Sequence, residues 1–152
     1  MGEILFRGKL ADQDTWVEGS LIVCGEEVRM FADSASAGTG IFSVDPATVG
    51  QYTGLTANGK KIFKGDIADL ECDPGLNELW VFDYGNCGGV QNVAHDVGYM
   101  GFYLRPLSDN AIKARDYGQR DDPIYYLNAL RLRIVGNIHD NPELLKGEDL
   151  RT

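Results

Sequence analysis

The chain has 152 residues, which suits one domain or two small subdomains sharing a core. Its net charge of −9 disfavours nonspecific binding to nucleic acid, because phosphate contacts need Lys and Arg, yet leaves room for a local basic patch. No apolar run approaches the roughly 20 residues needed to span a bilayer, and Gly2-Glu3 followed by Arg7 and Lys9 does not resemble a signal peptide, so a cytoplasmic location is expected.

The elements follow in quick succession. Ile4–Arg7 reads as a first strand. Thr15–Glu18 through Leu21–Val23 reads as a second, and Val28–Phe31 pairs with it across Gly25-Glu26-Glu27 as a hairpin. Asp33–Gly40, rich in Ala, Ser and Gly, reads as a loop before a strand at Ile41–Val44. Gly50 and Gly54 bracket Gln51-Tyr52-Thr53, the spacing expected where a strand bends or two backbones pass closely. Asn58-Gly59 predicts a tight turn, because both residues tolerate positive φ. Lys60–Phe63 is then extended, Gly65-Asp66 punctuates, and Ile67 starts a strand. Ala68, Leu70 and Cys72 share one face of it and Asp69 and Glu71 the other, the alternation of a half-buried strand.

Asp73-Pro74-Gly75 predicts a turn, Leu79–Phe82 a strand, and Gly88-Gly89 a break before Val90–Val93. Val97–Leu104 reads as a strand and Ser108–Tyr117 as the one mid-chain helix, with Gly118–Asp122 as its polar flank. The cleanest strand is Leu130–Ile138, where Leu130, Leu132, Ile134, Gly136 and Ile138 alternate with Arg131, Arg133, Val135 and Asn137. Asn141-Pro142-Glu143 starts a short helix that buries Leu144 or Leu145 and stops at Gly147: Asn caps, Pro lacks an N–H that the first turn does not need, and Glu suits the positive helix end. The 19 dispersed glycines favour many turns and short strands over linker sequence.

Three segments carry a resemblance. Glu3–Lys9, the Gln-Tyr-Thr-Gly-Leu…Asn-Gly-Lys…Ile-Phe-Lys-Gly-Asp-Ile block within Val49–Ile67, and Val-Gly-Asn-Ile-His-Asp-Asn-Pro-Glu-Leu-Leu, ending at Leu145, resemble the YopX family of bacteriophage and prophage proteins. Their order fits and they span nearly the whole chain, while about Cys72 to Asp122 departs from the pattern. The resemblance implies a β-rich fold and a phage or prophage origin inside a bacterial cell. It implies no activity and supplies no catalytic residues. Ile-Phe-x-Gly-Asp-Ile also resembles the start of a strand in small SH3-like barrels, an analogy of architecture alone. The expected fold is mainly β: short strands in small barrel-like (SH3-like) sheets with a short C-terminal helix. Residues 1–152 are read as a single domain, with two β subdomains split near 45–50 as the alternative.

Chemistry-bearing groups are sparse. His95-Asp96 and His139-Asp140 each set a carboxylate beside an imidazole in sequence, but adjacent strand residues point to opposite faces, so structural roles are expected for both. Cys72, Cys87 and His95 could be joined by Asp69 or Cys24 around a metal, yet no Cys-x₂₋₄-Cys pair occurs. Free thiols in a reducing compartment, without metal or cofactor, are the simpler expectation. No Gly-x-Ser-x-Gly elbow and no phosphate-binding Gly-Lys-Ser/Thr loop is present, and pairs such as Asp121-Asp122 and Glu26-Glu27 suit a solvated acidic face. Lys60, Lys61 and Lys64 cluster near Phe63 and Tyr52, which could hold a single strand by charge and stacking; the plainer alternative is a solubilising hairpin with Phe63 in the core.

The leading expectation is a noncatalytic accessory protein that binds a phage or host protein. The alternatives are a nucleic-acid-binding small barrel using Lys60, Lys61, Phe63 and Lys64, and an acidic DNA mimic acting on a host protein. An exposed apolar patch would favour a protein partner, a basic groove nucleic acid, and a continuous acidic ribbon mimicry.

Overall fold

A computed structural model describes residues 3–34, 38–70, 78–87, 99–112, 122–123 and 132–145. The expected elements at Asp73–Gly75, Val90–Val93 and Gly118–Asp121, together with Cys72, His95, Leu130 and Gly147, lie outside them. The chain divides into two compact units, Met1–Leu55 and Thr56–Thr152.

The described strands are β1 (Phe6–Lys9), β2 (Trp16–Cys24), β3 (Glu27–Ser34), β4 (Gly38–Ser43), β5 (Gly50–Ala57), β6 (Lys60–Phe63), β7 (Asp66–Leu70), β8 (Leu79–Cys87), β9 (Tyr99–Pro106), β10 (Asp122–Pro123) and β11 (Leu132–Asn137). They form two sheets, in the orders β4-β3-β2-β1-β5-β6 and β10-β9-β8-β7-β11. The assigned pairings between them are antiparallel. Among the described residues helix is brief: 3₁₀ turns at Pro46–Thr48 and Pro142–Leu145, and one α turn at residues 109–112. Ser108 caps that turn by accepting from the Ala111 amide, while residues 113–117 of the expected helix lie outside the described set.

The protein is therefore mainly β, as expected, but among the described residues no closed, SH3-like barrel is formed. A barrel needs its end strands to pair. Here β4 and β6 end one sheet and β10 and β11 end the other. One isolated bridge, Leu10 to Val44, joins the chain just past β1 to the chain just past β4.

In the first unit, alternation sorts β2–β4 into two faces. Val17, Met30 and Ala32 point inward to Leu10 and Val44, with Phe6, Leu21, Val28, Phe42 and Val49 packed around them. Each of these side chains larger than alanine contributes roughly 1.5–3 kcal/mol when fully buried. The expected Asp33–Gly40 loop is mostly strand: β3 runs to Ser34 and β4 starts at Gly38. β5 is one strand that accommodates Gly54 at φ 88°, which accounts for the Gly-bracketed pattern.

In the second unit, β7 over Asp66–Asp69 and β8 over Trp80–Phe82 are buried on both faces. Ile67, Val81 and Leu107 form a cluster against which Leu79, Ile138, Leu144 and Leu145 pack. Ala68, Trp80, Phe82 and Leu104 are also buried. Asp69 is a departure from the alternation, being only 4% exposed. It stands opposite Arg133, whose guanidinium donates to Asp69 Oδ2 over 3.1 Å; Oδ1 is buried without a hydrogen-bond partner. Asn137 departs likewise. A register shift between Ile134 and Gly136 changes the facing of the strand's end, so this residue of the polar set is buried.

Asn58 (φ 53°) and Gly59 (φ 78°) make the β5–β6 turn with both central residues left-handed, as a type I′ hairpin requires. Nothing crowds Gly59, so its conformation alone selects the residue. Gly59→Val is expected to lower unfolding stability by about 1 kcal/mol or more, and Gly59→Asn by less, because Asn tolerates this region. Denaturant titration of both variants checks this; equal stabilities of wild type and Gly59→Val would contradict the turn's role.

Candidate functional site

The outward side of β2–β4 is built by the same alternation that makes the first unit's core. With Met30 and Ala32 turned in, Arg29, Phe31 and Asp33 turn out. Phe31 stands between Ser20 on β2 and Ile41 on β4. Phe31 is 50% exposed and Ile41 58%. Ile22, also exposed, lies in the next outward row of β2, opposite Arg29. The apolar row is bordered on one side by Arg29, held by Glu27 Oε1 (Nε–O 3.0 Å), and on the other by Asp33, whose Oδ1 accepts from Thr39 Oγ1 at 3.0 Å. Toward β1 the same face carries Trp16, with the Arg7 guanidinium 4.8 Å and the Lys9 ammonium 5.5 Å from its ring centroid. Lys9 also pairs with Asp14. Buried large apolar side chains need no explanation, whereas adjacent exposed ones on a strand row do.

The residues singled out for nucleic acid are placed differently from one another. Lys60, Lys61 and Lys64 are exposed. Phe63 is 2% exposed and its amide donates to Asp66 Oδ2 over 2.8 Å, so its ring lies in the core. Tyr52 is buried as well. The hairpin thus offers charge, with neither of the two aromatic rings the sequence reading paired with it available for stacking.

His139 and Asp140 belong to a turn organised by Asn137. Asn137 Oδ1 accepts from the amides of His139 and Asp140, both at 2.9 Å, and its Nδ2 donates to Asp140 Oδ2 at 3.1 Å. The Asn137 amide donates in turn to Asn141 Oδ1 at 3.1 Å. A β-carbon on Gly136 would sit 2.3 Å from that same oxygen, which explains the glycine. The Asp140 carboxylate is therefore engaged by Asn137, and the backbone amides of His139 and Asp140 are tied into this turn. Among the described residues no group of three or more His, Cys, Asp and Glu is placed to hold a metal ion. Of the proposed ligands, Cys24 is exposed at the end of β2, and Cys72 and His95 lie outside the described residues. No described helix is long and apolar enough to cross a membrane.

The outward row of Phe31 and Ile41 was missed in the sequence. Its signal was present in Val28-Arg29-Met30-Phe31-Ala32-Asp33, where an apolar aromatic falls on the parity of two charged residues.

The described residues define an antiparallel, mainly β protein of two sheets whose densest motifs build turns and strand pairs. The chain belongs to the YopX family: the family described as "YopX protein" matches residues 3–146. No curated protein and no solved structure matches it.

Asn137→Ala is expected to destabilise the protein by about 1–3 kcal/mol, because the part-buried turn loses the three bonds that the Asn137 side chain makes to the His139 and Asp140 amides and the Asp140 carboxylate. Asn137→Asp keeps the two acceptor bonds but sets a second carboxylate beside Asp140, and is expected not to restore stability. Thermal melts of both variants check this; wild-type stability for Asn137→Ala would contradict the turn assignment.

Proposed function

We propose that this YopX-family chain is a noncatalytic accessory protein of a phage or prophage, acting inside a bacterial cell by binding another protein through the outward face of β2–β4. The observation that carries this is the exposed row of Phe31 and Ile41, with Ile22 beside it, on a regular sheet surface. Aromatic and aliphatic anchors flanked by polar groups are what protein interfaces concentrate at their centres. The nucleic-acid alternative retains Lys60, Lys61 and Lys64 but loses Phe63 as a stacking platform, and the net charge of −9 works against it.

The test is capture from host lysate with the tagged full chain, with and without nuclease. Phe31→Glu/Ile41→Glu is expected to weaken capture about tenfold or more while leaving the melting temperature near that of wild type, since both side chains are exposed. Lys60→Glu/Lys61→Glu/Lys64→Glu is expected to capture normally. Capture that disappears with nuclease and with the lysine variant, but survives the Phe31/Ile41 change, would replace this function with nucleic-acid binding.

A further inference from the structure

We infer that the protein bound by the β2–β4 face is a second copy of this chain; this rests on the reading of that face as a protein-binding surface. The symmetry of the charges on this face points to a second copy. Along β3 the outward residues are Glu27, Arg29, Phe31 and Asp33. Arg29 and Asp33 stand two residues to either side of Phe31, about 7 Å away along the strand. Take a twofold axis running along the Ser20–Phe31–Ile41 row, in the plane between two such faces. The rotation sets Phe31 against Phe31 of the second copy and Ile41 against its Ile41. It also reverses strand direction, so Arg29 of each copy comes over Asp33 of the other. One apolar row is then enclosed between two rows of opposite charge, each contributed by both chains. An isologous contact demands this reciprocity, in which one residue meets another and the second meets the first.

The surrounding charges permit the approach. Glu27 already holds Arg29, and Glu18, on the same outward face, stands opposite Arg7 in register. Ile22 of each copy would come over the aliphatic stem of Glu18, whose carboxylate is free to turn toward that arginine. The contact region therefore has nearby cations for its acids, although the chain as a whole carries −9. A nucleic acid would find Asp33 and Glu18 in its way.

Sedimentation equilibrium of the purified full chain over a range of micromolar concentrations, with melting temperatures as the check on folding, tests the inference. The wild type is expected to show a monomer–dimer equilibrium. Arg29→Asp sets acid against Asp33 of the second copy, and Asp33→Arg sets base against its Arg29. Each is expected to weaken dimerisation about tenfold or more, and the combined Arg29→Asp/Asp33→Arg chain is expected to regain most of it. A wild type that stays monomeric, or a dimer indifferent to these changes, would overturn the inference. If the chain is monomeric and the Phe31→Glu/Ile41→Glu variant still loses a protein captured from lysate, only the second-copy assignment falls. If that capture is also unchanged, the protein-binding reading of the face falls with it.

Discussion

The amide of Ile138 donates to the carbonyl of Gly65 over 2.9 Å, and the amide of Gly65 donates to the carbonyl of Phe82 over 2.8 Å. Gly65 has φ 95°. Through this one residue, three segments far apart in sequence are joined at the start of β7. The net gain from each bond is modest, about 0.5–1.5 kcal/mol, but a buried amide or carbonyl left unpaired would cost about 1–3 kcal/mol. The rest of the second unit builds outward from that junction. Asp66 beside it receives the Phe63 amide and stands opposite Asn137, and Asn137 folds the chain back so that Ile138, Leu144 and Leu145 reach the Ile67–Val81–Leu107 cluster.

This explains why the family's motifs are rich in Gly, Asn and Asp and poor in chemistry. Gly65, Gly136, Asn137 and Asn141 are each occupied in satisfying backbone groups or in leaving room for a neighbour that does. Residues committed to a turn in this way are poorly suited to recognising anything. Recognition is then free to sit on surface that the fold does not need, and the outward face of β2–β4 is such a surface. Its inward partners Met30 and Ala32 hold the sheet, while Phe31 and Ile41 add nothing to that core.

Much of the fold could be read from the residues. The Asn58-Gly59 turn, the hairpin read at Gly25-Glu26-Glu27 (of which Glu27 opens β3), the strands from Ile67 and through Ile134, and the short Pro142 helix all depend on local chemistry, and local chemistry is written in sequence. Asp69 and Asn137 were misjudged because their facing is decided by neighbours. Arg133 arrives from another strand to meet Asp69, and a bulge between Ile134 and Gly136 shifts the parity that alternation assumes. Sheet closure is likewise a property of which strands end up paired, and no single strand records it. The outward row was overlooked for a related reason: Phe31 and Ile41 are ten positions apart in sequence and become neighbours only once the register is known, and each alone looks like an ordinary core residue.

On the proposed function, the family motifs hold the fold while the β2–β4 face makes the contacts. Methyl NMR of the isoleucines, followed as the bound partner or the protein's own concentration is raised, separates the two directly. Ile22 and Ile41 report on the face, and Ile67 and Ile138 on the motif junction. The expected result is movement of the Ile22 and Ile41 resonances with Ile67 and Ile138 unchanged. Movement of Ile67 and Ile138 while Ile22 and Ile41 stay still would contradict the account.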